Sequence, residues 1–172
     1  GFKKSTAMPV DVAKEELAPL FIDIDGDADL DLYIGCGSNE YNNDDPKLKD
    51  VLLINNNGIF QDASDKLPVP NMQTACVKAC DYDGDGDMDL FIGGKAITYK
   101  FPMAEESFLL TNESTPGNIK FTKDNKPFEA SKMMISDALW SDYDNDGSVD
   151  LITVGDFDGI SFYKNTNGKL VY

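Results

Sequence analysis

Asp81-Tyr82-Asp83-Gly84-Asp85-Gly86-Asp87-Met88-Asp89-Leu90 packs five acids into nine positions, with carboxylates at relative positions 1, 3, 5 and 9 and glycine at position 6. Side chains two residues apart on a tightly turned loop converge on one point. Hard cations such as Ca²⁺ take six to eight oxygens at about 2.3–2.6 Å. Without a cation, five acids this close repel one another. Gly86 suits a backbone that must bend sharply with positive φ.

The same pattern stands twice more, as Asp23-Ile24-Asp25-Gly26-Asp27-Ala28-Asp29-Leu30-Asp31-Leu32 and Asp142-Tyr143-Asp144-Asn145-Asp146-Gly147-Ser148-Val149-Asp150-Leu151. The copies start 58 and 61 residues apart, and Phe2, Phe60 and Phe121 repeat those spacings. The period therefore covers whole structural units, the mark of a repeat architecture.

An EF-hand shares positions 1, 3, 5 and 6 but needs a bidentate Glu at position 12. Here position 12 is Ile34, Ile92 or Thr153. The residues after each loop alternate as a strand does, so Asp at position 9 takes that role in a nine-residue loop at a β-hairpin corner. A metal-free Asp/Gly turn is the plainer reading of one copy; three copies at one spacing argue for a cation. Mg²⁺ demands near-ideal octahedral geometry, so Ca²⁺ is the better match. Ala28 stands at position 6 of the first loop, where positive φ costs roughly 1 kcal/mol without glycine.

Each unit reads as four short strands with the acidic loop between the first two. An apolar run (Ala18–Ile24, Thr74–Tyr82, Ala138–Trp140) leads into the loop. Alternating residues follow: Leu30, Leu32 and Ile34; Met88, Leu90 and Ile92; Val149, Leu151 and Thr153. Third strands are expected at Val51–Ile54, Phe108–Thr111 and Ile160–Tyr163, with fourth strands at Ile59–Ala63, around Phe121 and at Lys169–Tyr172. Asn55-Asn56-Asn57-Gly58 and Asn165-Thr166-Asn167-Gly168 are hairpin signals. Residues 129–136 are expected to hold a helical turn. The fold class is all-β: a partial β-propeller of four-stranded antiparallel blades, about three of them. The divisions are a leading strand over 1–8 and blades over 9–66, 67–127 and 128–172.

Composition narrows the chemistry. The 172 residues carry a formal net charge of −16, with 31 acids and 15 basic residues, all Lys, and no His. That disfavours zinc sites, Ser-His or Cys-His catalysis and nucleic-acid binding. Cys76 and Cys80 on one strand lie roughly 13 Å apart, too far for a disulfide, and the three cysteines read as small buried residues, with a Cys36 pairing or a reactive thiol as the alternative. No apolar run is long enough to span a membrane, and the opening Gly1-Phe2-Lys3-Lys4 has no apolar leader. Asn112-Glu113-Ser114 fits an N-glycosylation sequon, a pattern common by chance.

The D-x-D-G-D-G-x-x-D-L loops, each followed by an apolar strand and Gly, together with Leu52-Leu53-Ile54-Asn55-Asn56-Asn57-Gly58-Ile59-Phe60 and Ala138-Leu139-Trp140-Ser141-Asp142, resemble FG-GAP/VCBS repeats. These are the calcium-binding blades of integrin α-type β-propellers, found also in bacterial ASPIC/UnbV-associated VCBS-repeat proteins. The resemblance implies Ca²⁺ held by side chains at positions 1, 3, 5 and 9 and the carbonyl at position 7. Those are Asp23, Asp25, Asp27 and Asp31 with Asp29; Asp81, Asp83, Asp85 and Asp89 with Asp87; and Asp142, Asp144, Asp146 and Asp150 with Ser148. Family propellers close with about seven blades, so the chain is expected to be part of a larger secreted or cell-surface protein or complex.

The expected function is a calcium-stabilised, non-enzymatic adhesion scaffold at the cell surface or outside it. Loops 38–48 and 93–106, with Tyr41, Tyr99 and Phe101, would face a protein or glycan ligand, and further blades of the same protein or a partner chain would lie alongside. The alternative is a polysaccharide-processing module using carboxylates such as Glu40, Glu105 and Glu106, which no spacing pairs.

Overall fold

A computed structural model describes residues 13–130, 132–157 and 159–172; the leading strand expected over 1–8 lies outside the described residues. Among the described residues, twelve strands form three separate four-stranded antiparallel sheets. The first holds β1 (Glu16–Ile22), β2 (Asp31–Cys36), β3 (Val51–Asn56) and β4 (Ile59–Asp62). The second holds β5 (Thr74–Cys80), β6 (Asp89–Gly94), β7 (Phe108–Asn112) and β8 (Phe121–Asp124). The third holds β9 (Met134–Ser141), β10 (Asp150–Asp156), β11 (Gly159–Asn165) and β12 (Leu170–Val171). Strands pair in sequence order within each sheet. β1 packs beside β5 and β5 beside β9, so the blades stand side by side through their first strands, as in an open propeller. Short 3₁₀ turns at Pro46–Leu48, Ser64–Lys66 and Lys126–Phe128 are the helical elements among the described residues.

The hairpin chemistry is local. Asn57 and Gly58 sit at φ 53° and 88° between β3 and β4, and Asn167 and Gly168 at 52° and 74° between β11 and β12. Both central residues take positive φ, as a type I′ turn requires, and its twist matches that of the strands.

The blades bury their faces against one another. Ile24, Tyr33 and Leu52 of the first blade form one cluster with Leu90, Ile92 and Phe108 of the second. Phe91 and Leu109 form another with Leu151 and Tyr163 of the third. Phe128 bridges that second layer, its ring 5.3 Å from Phe91 and 5.1 Å from Tyr163. Trp140 stacks on Tyr82 across the same boundary, centroids 5.9 Å apart.

Close approach explains two glycines. A Cβ on Gly35 would lie 2.6 Å from Thr74 Cγ2, and one on Gly93 would lie 2.7 Å from Ile135 Cγ2. Each glycine admits the first strand of the next blade. Val154 takes the same register position in β10, one residue before the shift in its pairing with β9.

Two expectations change. Strands β2 and β6 do not alternate between core and water: all six residues of each are buried, because both of their faces are covered, whereas β10 keeps Val154 exposed. The helical turn expected over 129–136 falls instead at Lys126–Phe128, where Pro127 favours the first turn. Met134 and Ile135 enter β9, since Ile135 belongs in the core beside Phe91.

Candidate metal centre

Each acidic loop joins the first two strands of its blade, and hydrogen bonds internal to the loop shape it. The position-1 carboxylate caps the turn. Asp23 accepts from Gly26 N (2.9 Å) and Ala28 N (3.0 Å), Asp81 from Gly84 N (2.8 Å) and Gly86 N (3.1 Å), and Asp142 from Asp146 N (3.1 Å) and Gly147 N (3.0 Å). Position 5 repeats too: Asp27, Asp85 and Asp146 accept from the N–H of Asp29, Asp87 and Ser148 at 2.8–2.9 Å. Position 6 takes positive φ in all three loops, 72° at Ala28, 99° at Gly86 and 90° at Gly147. Ala28 adopts the strained conformation that its place in the pattern predicts.

These turns bring three carboxylates together at each corner: Asp23, Asp25 and Asp27; Asp81, Asp83 and Asp85; Asp142, Asp144 and Asp146. Within each triad the candidate ligand oxygens all lie within 4.8 Å of one another. Burial first, then Asp27 and Asp23, raise the Asp25 carboxyl above its usual range; burial and then Asp85 do the same to Asp83. Asp25 is 3% exposed, and its buried Oδ1 accepts no hydrogen bond. A buried carboxylate oxygen without a donor is costly unless a cation or proton satisfies it. An all-oxygen set of crowded carboxylates fits a hard divalent ion rather than a soft one.

Position 9 plays a different part. Asp31, Asp89 and Asp150 are the first residues of β2, β6 and β10, and all three are fully buried. One oxygen accepts from the loop's second residue: Asp31 from Ile24 N (2.8 Å), Asp89 from Tyr82 N (3.3 Å), Asp150 from Tyr143 N (3.3 Å). The other accepts from an asparagine N–H on the third strand: Asn55 (2.8 Å), Asn112 (2.8 Å) or Asn165 (2.7 Å). Each thus ties its loop to its own blade while keeping lone pairs that a cation can share. Burial pushes the Asp89 carboxyl up to about 7, against the pull of Asn112 N–H. Asp29 Oδ2, at position 7, accepts from Asn57 N at 2.7 Å; Asp87 and Ser148 hold that position in the other loops.

Two of those asparagines also reach across to the preceding blade. Asn112 Nδ2 donates to Ile24 O (2.8 Å), and Asn165 Nδ2 to Tyr82 O (2.6 Å). Each carbonyl belongs to position 2 of the preceding loop, so the corner of one blade is bolted to the third strand of the next. The sequence marks Asn165 only as part of a hairpin signal and Asn112 only as part of a sequon; their bond across the blade boundary goes unread, although the recurrent Ile54-Asn55, Thr111-Asn112 and Lys164-Asn165 was the available signal. Asn112 is 1% exposed, which leaves its sequon no accessible amide.

The other singled-out residues lie elsewhere. Loops 38–48 and 93–106 touch: Thr98 N donates to Asn43 Oδ1 (3.1 Å) and Tyr99 OH to Glu40 O (3.4 Å). Tyr99 and Phe101 are exposed. Glu105 is buried beside Asn43 and Gln73, and that burial raises its carboxyl above the usual range.

Residues 23–92 match the family model of the FG-GAP-like repeat, a span from the first acidic loop through the second and into β6. The match covers 70 of the 172 residues, and the third blade carries the same acidic loop beyond it. No curated protein matches the chain. FG-GAP repeats generally serve as structural and binding modules and typically occur in extracellular proteins. Among the described residues no helix is long and apolar enough to cross a membrane.

Proposed function

We propose that the chain is a calcium-stabilised, non-enzymatic binding scaffold of the extracellular adhesion type, with blades over 9–66, 67–127 and 128–172. The observation that carries this is one acid triad repeated at three equivalent corners, the first with a buried Asp25 oxygen lacking a donor. Asp23, Asp25, Asp27 and Asp31 with the Asp29 carbonyl would hold one Ca²⁺. Asp81, Asp83, Asp85 and Asp89 with Asp87, and Asp142, Asp144, Asp146 and Asp150 with Ser148, would hold two more. Bound calcium supplies the positive charge that lets these carboxylates converge. The chain's own residues then carry that order outward: Asp31, Asp89 and Asp150 fix each corner to its blade, while Asn112 and Asn165 fix it to the next. Recognition of a protein or glycan is assigned to the paired loops 38–48 and 93–106, where Tyr99 and Phe101 stand exposed.

The test is thermal melting in 10 mM Ca²⁺ against EDTA, with Mg²⁺ as control. Sites of about 10⁻⁴–10⁻³ M affinity stabilise by about 1.4–2.7 kcal/mol each at that concentration. For a chain of this size the shift is about 3–10 °C per occupied corner. Identical melts in calcium and EDTA would remove the metal from the account.

A further inference from the structure

The third corner differs from the other two in a way that the acid pattern does not reveal. Position 3 of the first two loops is met by the turn between the third and fourth strands of the following blade. The Gly117 backbone N–H lies near the Asp25 carboxylate, and Gly168 lies so near Asp83 that a Cβ on it would be 3.0 Å from Asp83 Cβ. At the third corner Lys164 of β11 meets Asp144. Its Nζ donates to Asp144 Oδ2 and lies 2.9 Å from Asp146 Oδ2. These are positions 3 and 5 of the triad. Lys164 directly precedes the asparagine whose N–H binds the position-9 carboxylate; the corresponding residues are Ile54 in the first blade and Thr111 in the second. The third loop also has Ser148 where the others have an acid at position 7.

We propose that Lys164 is a built-in counter-cation of the third corner, competing with a divalent ion for Asp144 and Asp146, so that this corner takes calcium more weakly than the first two. This rests on the calcium reading above. An ammonium on a flexible stem supplies one positive charge and up to three donors, and it must be displaced before both carboxylates can turn to an ion. The blades would then respond to calcium in two stages: corners one and two fill first, and the third fills as Lys164 swings to solvent.

Calcium titration by calorimetry on the full chain tests this. Wild type should show two tighter events and one about tenfold weaker, the scale expected for a solvent-screened lysine held by two carboxylates. Lys164→Met should tighten the weak event about tenfold, leaving the other two unchanged. Adding Asp142→Asn to that variant should abolish the tightened event and so assign it to the third corner. The converse variant, Thr111→Lys, should weaken one of the two tighter events, with circular dichroism confirming the fold. If the first two events are present and Lys164→Met leaves the third where it was, the role of Lys164 is overturned while the calcium reading stands. If neither wild type nor Lys164→Met binds calcium at any corner, both fall together.

Discussion

Replacing Asp50 with Asn should change how stability depends on pH. Asp50 is 2% exposed at the boundary of the first two blades. Its carboxylate accepts from Tyr33 OH (2.7 Å) and Cys36 N (2.8 Å) in the first blade and from Thr74 Oγ1 (2.9 Å) in the second. Burial outweighs all three donors and pushes the carboxyl up to about 6. The unfolded chain titrates the same group near 3.9, so between those values the folded protein holds a proton that the unfolded chain has lost. The stability this confers is fully present below about pH 4 and is lost as pH rises through about 6. At 1.36 kcal/mol per unit, about 0.9 kcal/mol is gone by pH 4.5 and about 2.8 by pH 7. Asp50→Asn lacks the titrating group, whatever its own cost in hydrogen bonding. The stability of wild type relative to Asp50→Asn should therefore fall by about 2 kcal/mol between pH 4.5 and pH 7. Urea unfolding of both proteins at the two pH values and fixed calcium measures this, because the titration of every other carboxyl cancels in the difference. A difference that stays constant across that range refutes the assignment of a raised Asp50 carboxyl.

Two further predictions concern the interior. Gly93→Ala sets a methyl 2.7 Å from Ile135 Cγ2 and 2.8 Å from Cys76 Sγ, so it should destabilise by about 1–3 kcal/mol in urea unfolding; a neutral result would mean that the second and third blades pack less closely than described. Burial pushes the Cys36 and Cys76 thiols up to about 12 and Cys80 to about 11, so iodoacetamide at pH 8 should leave Cys36 and Cys76 unlabelled in the native protein and reach all three cysteines in urea; native labelling of Cys36 would contradict its burial.

Much of this architecture is legible in the sequence, because the features that punctuate it act locally. Asn57-Gly58 and Asn167-Gly168 take the positive φ that their residue types allow, and the acidic loops fold on their own carboxylates, Asp81 closing onto Gly84 and Gly86. The sequence places the strand that follows each loop, but not the full burial of β2 and β6. Alternation in Leu32-Tyr33-Ile34 marks a strand without saying whether its second face meets water or another blade. Position 9 was recognised as acidic and cation-directed, but its second task, accepting Asn55, Asn112 or Asn165, needs partners 15–24 residues away. Lys164 was invisible for the same reason: only the pairing of β10 with β11 brings it over Asp144 and Asp146. The helical turn expected over 129–136 failed because Ile135 is claimed by the core between the second and third blades.

The central claim is that the three loop corners are cation sites. It is met most directly by an anomalous difference map at a wavelength sensitive to calcium, from crystals grown in millimolar calcium. Peaks are expected among Asp23, Asp25 and Asp27 and among Asp81, Asp83 and Asp85, with a weaker one among Asp142, Asp144 and Asp146. A map without density at the first two corners would contradict it.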